Sequence, residues 1–238
     1  MNRLLWLVLC CPLLMGAASR SFDGTDDNIS MGNVLDVTTG DFTVGTWVKM
    51  TENANSEFII GKRSTASATA GSASGYIMRT GTGDLLACGV SDSVAHVGCG
   101  GGTTDLDGAW YYVQTTWNAT TEVLAAIVNG TQENSGTGAM GSLTNAVAFT
   151  MGTDSASNND LTGLEAYGSF HSAVLSAVEL TEMRWHVCSI PTNLGGCWPL
   201  WGDSTEIDLS GNGNAGTVAN ATTSTDGPPT MVGAYLPL

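Results

Sequence analysis

Positive charge is what this 238-residue sequence has least of: 7 Lys and Arg stand against 22 Asp and Glu, a formal net charge of −15. A nucleic-acid binder needs clustered cations to neutralise phosphates, and anionic membranes attract basic surfaces, so neither partner is expected. The only long apolar run ends within the first 18 residues, short of the ~20 that span a bilayer. Histidine is scarce too, since His96, His171 and His186 are scattered without metal-ligand spacing. No cysteine pair has the Cys-x-x-Cys spacing of zinc or thioredoxin-type sites. No Gly-x-Ser-x-Gly elbow is present for nucleophilic catalysis. Charged residues of all kinds make up 12%, too few for a helical bundle.

What the chain does have is Gly, Ser, Thr and Asn between short apolar-patterned runs, the signature of an all-β protein. Residues 42–50 place Phe42, Val44, Val48 and Met50 on one face and Trp47 and Lys49 on the other. Residues 110–117 form a second long strand rich in aromatics and Thr. Residues 123–128 run into Asn129-Gly130, a hairpin turn pair. Further strands are expected at 57–62, 75–79, 85–90, 146–152 and 164–170. One short helix is expected near residues 176–186, where Ser176 and Glu179 have the spacing of a capping box. Residues 65–74 and 135–141 read as low-complexity loops.

Residues 1–18 have the form of a signal peptide: Arg3 is the basic end, Leu4 begins the apolar stretch, and Gly16 and Ala18 are small at the cleavage positions. Its removal leaves the chain one unit more negative and takes Cys10 and Cys11. Cys88, Cys99, Cys188 and Cys197 remain, an even number suited to an oxidising compartment. Their proximity suggests Cys88–Cys99 and Cys188–Cys197. The expected location is secreted, extracellular or on a virion surface.

Four segments then carry a resemblance. Phe22-Asp23-Gly24-Thr25-Asp26-Asp27 resembles a first-strand motif, Phe-Asp-Gly-x-Asp-Asp, and Asp41 to Lys49 the next long strand. Asp107-Gly108-Ala109-Trp110-Tyr111-Tyr112-Val113 resembles an Asp-Gly-x-Trp-His-His-Val strand, with Tyr111 and Tyr112 where two His are common. Gly163-Leu164-Glu165 leading to Leu175 through Leu180 resembles a closing strand and its trailing helix. In this order they are similar to the laminin-G-like, or concanavalin A-like lectin/glucanase, superfamily. The resemblance implies an all-β, two-sheet antiparallel jelly-roll sandwich with one concave face. Cys197 to Leu200 and Asp208 to Thr217 resemble a segment that usually opens such domains. Only ~40 residues remain there, too few for a core of their own. Residues 19–238 are therefore expected to form one domain, with 195–238 folded back into it.

The function expected is non-catalytic recognition, with a glycan or glycoconjugate as partner. A virion structural role (decoration, tail or fibre), with homo-oligomer or virion assembly, is the alternative; a glycoside hydrolase ranks below both. Glu206-Ile207-Asp208-Leu209 looks like the start of a β-glucanase motif, but the second carboxylate such catalysis needs is replaced by Ser210. Gly211 to Gly216 spells a dinucleotide fingerprint but lacks the βαβ context. Asp208, Ser210 and Asn212 with Gly213 partly match a calcium loop whose final Glu is replaced by Ala219. Calcium is the one cofactor expected, with Asp23, Asp26, Asp27, Glu165, Asp208 and Asn212 as candidate ligands. Turns in which Asp and Asn bond the backbone are the rival account. Tyr111, Trp110 and Trp201 are the candidate sugar-stacking aromatics, whereas Trp47 and Trp117 are expected to fill the core.

Overall fold

The computed structural model describes residues 19–52, 56–64, 73–154, 159–202 and 204–229. The expected signal peptide and most of the loop expected at 65–74 lie outside them. Two antiparallel eight-stranded sheets pack face to face. The first runs β10 (Thr131–Thr137), β9 (Val123–Val128), β8 (Tyr111–Asn118), β3 (Phe42–Met50), β12 (Thr162–His171), β1 (Ser19–Asp23) and β16 (Thr222–Ser224), with β13 (Leu194–Trp198) also paired to β12. The second runs β14 (Thr205–Glu206), β15 (Gly216–Ala219), β2 (Asn28–Ser30), β11 (Thr150–Met151), β4 (Phe58–Lys62), β5 (Gly75–Thr80), β6 (Leu86–Ser91) and β7 (His96–Cys99).

The period-2 pattern decides which side chains meet between the sheets. Phe42, Val44, Val48 and Met50 enter the main core with Ile60, Tyr76, Met78, Val113 and Phe149. Trp117 joins that core, while Trp47 turns to the other side of the first sheet. There it packs with Tyr112, Ala166, Leu175, Met183 and Val187 under helix α1 (Ala177–His186). Ser176 and Glu179 form a reciprocal capping box at the start of α1, satisfying two otherwise unpaired backbone donors. The helix thus covers only part of the sheet's outer face. That leaves room for a site.

The tail closes both sheets. β16 pairs with β1, β15 with β2, and β13 with β12. A buried ion pair fixes this closure: Arg20 Nε donates to Glu206 Oε1 at 2.6 Å. The guanidinium also donates to the carbonyls of Ala221 and Gly202. Cys88–Cys99 staples β6 to β7, and Cys188–Cys197 staples the turn after α1 to β13, with Cα separations of 5.1 and 5.6 Å.

At Asn129-Gly130 both residues have positive φ, 50° and 82°, as a type I′ hairpin turn requires. Two local expectations change. Residues 135–137 belong to strand β10 rather than a loop. As an edge strand β10 has its side chains exposed or half-buried, so no apolar alternation announces it. The strand expected at 146–152 shrinks to β11, because Val147 and Asn145 are held instead by side-chain bonds around Lys62.

Candidate functional site

Beyond the end of α1, the outer face of the first sheet is open. Lys49 on β3 pairs with Leu164 on β12, which pairs with Ser21 on β1. Directly paired residues share a face, and Lys49 lies two residues from the outward Trp47, so these three side chains form one row on the outer face. They line a shallow groove of about 300 Å³ with Thr51 and Gly163 at its end. Trp110, half-buried where β8 begins, stands beside this row. Its Nε1 donates to Asp226 Oδ1 at 3.0 Å, and Lys49 Nζ donates to Asp226 Oδ2 at 2.7 Å. An indole, an ammonium and a carboxylate therefore meet at the groove. Chemically, this set can stack on a ring and both donate to and accept from hydroxyls.

Asp226 was not legible as a site residue. It sits in a Thr-Asp-Gly-Pro stretch that reads as an ordinary turn, and only the return of the tail across the sheet brings it here.

At the same end of the sheet, Asp23 pairs with Thr162, next to groove residue Gly163. The turn after β1 gathers Asp23, Asp26 and Asp27, each offering an oxygen within 4.8 Å of the others. Part of this oxygen set is used by the turn itself. Asp27 Oδ2 accepts from the Asp23 N–H and Asp23 Oδ1 from the Thr25 N–H. Burial pushes the Asp27 carboxyl above the usual range; the Asp23 N–H bond opposes this, while the charges of Asp23, Asp26 and Asp160 add to it. Hard oxygen donors under mutual repulsion are the chemistry that suits a calcium ion.

The remaining candidates lie apart from this cluster. Glu165 pairs with Arg20 and Val48, so it points between the sheets. It is fully buried, and neither carboxylate oxygen has a hydrogen-bond partner among the described residues. Burial raises its pKa well above the ordinary carboxylate value. Asp208 is half-buried in the loop between β14 and β15 and accepts from the N–H groups of Cys197, Ser210 and Asn214. Burial works against its charge, but the Ser210 side chain and these N–H donors hold its pKa below the usual value. Asn212 donates to the carbonyls of Leu194 and Gly195. The six expected metal ligands thus occupy three places, and only the first three aspartates converge.

The aromatics divide similarly. Tyr111 packs against the main core, turned inward. Trp201 is 37% exposed and meets Tyr167 edge-on at 5.8 Å between ring centroids. Trp110 is joined to the groove by a hydrogen-bonded chain through Asp226 and Lys49.

A profile of the concanavalin A-like lectin/glucanase superfamily matches residues 23–181. The chain belongs to this superfamily. Among solved structures, the fold is similar to that of a carbohydrate-binding candidate from Bacteroides ovatus, with a TM-score of 0.67 at 16% identity, covering 87% of this chain and 59% of that one. It is also similar to a heptameric SAP-like pentraxin from Limulus polyphemus, with a TM-score of 0.55 at 13% identity, covering 86% and 96%. No curated protein matches the sequence. At these identities the structural likeness shows the fold, and the superfamily includes both lectins and glucanases by name.

Proposed function

We propose that this superfamily member is an extracellular, non-catalytic carbohydrate-recognition module, with calcium held at Asp23, Asp26 and Asp27 assisting the binding. The observation that carries this reading is the co-location, at one end of one sheet, of a groove flanked by Trp110, Lys49 and Asp226 with a crowded carboxylate cluster. A cation there would relieve the repulsion at Asp27 and order the turn beside the groove. The carbohydrate-binding description of the Bacteroides ovatus neighbour supports the same ligand class. The two disulfides support an oxidising location. Against catalysis, Glu206 is committed to Arg20 and Glu165 faces the space between the sheets, so neither addresses the groove. The pentraxin neighbour is a heptamer, and assembly of this chain into a homo-oligomer is proposed alongside, to be read by sizing chromatography.

The test is retention on immobilised polysaccharides with calcium and after chelation by EDTA. Retention that EDTA abolishes is the expected result. Retention indifferent to EDTA removes the calcium part, absence of retention across neutral and acidic polysaccharides removes the glycan part, and release of reducing sugar removes the non-catalytic part.

A further inference from the structure

Residues 225–229 do not continue the sheet after β16. Asp226 crosses its outer face instead. The Asp226 carbonyl accepts from Ser19 Oγ on β1 at 2.5 Å, while its carboxylate reaches Lys49 on β3, three strands away from β16 in the sheet order. Its own N–H donates to Ser224 Oγ at 3.1 Å, and Pro228 just beyond is buried. One residue of the tail therefore holds both Lys49, which lines the groove, and Trp110 beside it.

The charges there have a definite consequence. Lys49 and Asp226 have side-chain exposures of 31% and 46%, so both remain reachable by a ligand. Each Asp226 oxygen has accepted one bond and can accept another, and Lys49 has donors to spare. The Trp110 N–H is used by Asp226, which fixes the plane of the ring. Neighbouring donor and acceptor beside an aromatic face match two adjacent hydroxyls on a sugar ring. The Lys49 charge is already compensated, so an anionic sugar finds no free cation here on a chain of net charge −15.

Resting on the reading of this groove as a glycan site, we propose that Asp226 is its specificity-determining residue: by clamping Trp110 and neutralising Lys49, it selects uncharged sugars with adjacent hydroxyls and turns acidic sugars away. The Lys49 hydrogen bond first, and the Trp110 bond second, hold the Asp226 carboxyl below its usual pKa, so it stays ionised across the neutral range.

The experiment compares binding to a set of neutral oligosaccharides and their uronic-acid counterparts by wild type, Asp226→Asn, Asp226→Ala and Lys49→Met. Asp226→Asn keeps an amide oxygen for Trp110 but frees the Lys49 charge. The neutral-to-acidic preference should fall by about tenfold or more, with an unchanged thermal melt. Asp226→Ala should also weaken neutral-sugar binding, because Trp110 is no longer held. Adding Lys49→Met to Asp226→Asn should restore rejection of acids. An unchanged preference in Asp226→Asn, or a wild type that favours acidic sugars, overturns the assignment while leaving glycan binding intact. A wild type that binds no sugar of either kind removes the parent reading and this one together.

Discussion

Asp208 and Asp27 look alike in the sequence, each in a turn rich in Asp, Asn and Gly, and the fold treats them in opposite ways. Asp208 collects three backbone N–H donors and is held ionised, with its pKa below the ordinary value. Asp27 receives one such bond and sits among other carboxylates with its pKa raised. The same contrast recurs deeper in the protein: Glu206 is buried against Arg20, whereas Glu165 is buried with no hydrogen-bond partner among the described residues. An acidic residue is a fastener where donors converge on it, and where they do not it carries an uncompensated cost that a cation or a proton would relieve. Residue type says nothing about which; the donors do.

The largest test of that contrast is Glu206→Ala. Removing one member of a buried, hydrogen-bonded ion pair leaves the other charge stranded, a cost of about 3–5 kcal/mol. Arg20 would keep its carbonyl contacts to Gly202 and Ala221 but lose the carboxylate they surround, and the tail would loosen from β1. Urea denaturation at neutral pH reads the loss directly. A loss below about 1 kcal/mol would mean that the pair behaves as an exposed one and is no fastener.

Next in size is calcium itself. If Asp27 marks a cation site, calcium at a hundredfold excess over its dissociation constant stabilises the fold by about 2.7 kcal/mol. Asp27→Asn should abolish that gain and leave the calcium-free protein as stable or slightly more so, since one crowded charge has gone. Asp208→Asn should lower stability by a similar amount with and without calcium, because its oxygens are taken by Cys197, Ser210 and Asn214. Equal calcium gains in wild type and Asp27→Asn would erase the distinction between the two turns.

The division between what could and could not be read from sequence follows the same physics. Strands with an apolar face announced themselves: residues 42–50 alternate, and the two clusters on either side of β3 are that alternation made solid. The Ser176–Glu179 cap was legible because both partners are three residues apart and bond locally. Strand β10 was not, since an edge strand needs no apolar face. Nor was the groove, whose members Ser21, Lys49 and Leu164 are brought together only by strand order, or the bond from Lys49 to Asp226, which needs the tail to cross the sheet. Tyr111 and Trp110, adjacent in sequence, gave no sign of which would turn inward.

Glu165→Met gives the smallest and most discriminating effect. A buried carboxyl with no hydrogen-bond partner among the described residues loses hydration for nothing in return, and an apolar side chain of similar length should stabilise the fold by about 1 kcal/mol even at pH 4, where the acid is mostly protonated in both states. Above that the two states part. The unfolded carboxyl ionises near its ordinary value of 4.5, while burial keeps the folded one protonated, so the native state binds more protons and wild-type stability declines as pH rises from 4.5 towards the raised folded value. The Met variant lacks this slope, and its advantage should widen between pH 4 and pH 7 in paired denaturation curves. An advantage of constant size, or a variant less stable at both pH values, would show that Glu165 has a partner in solution and belongs with Glu206 among the fasteners.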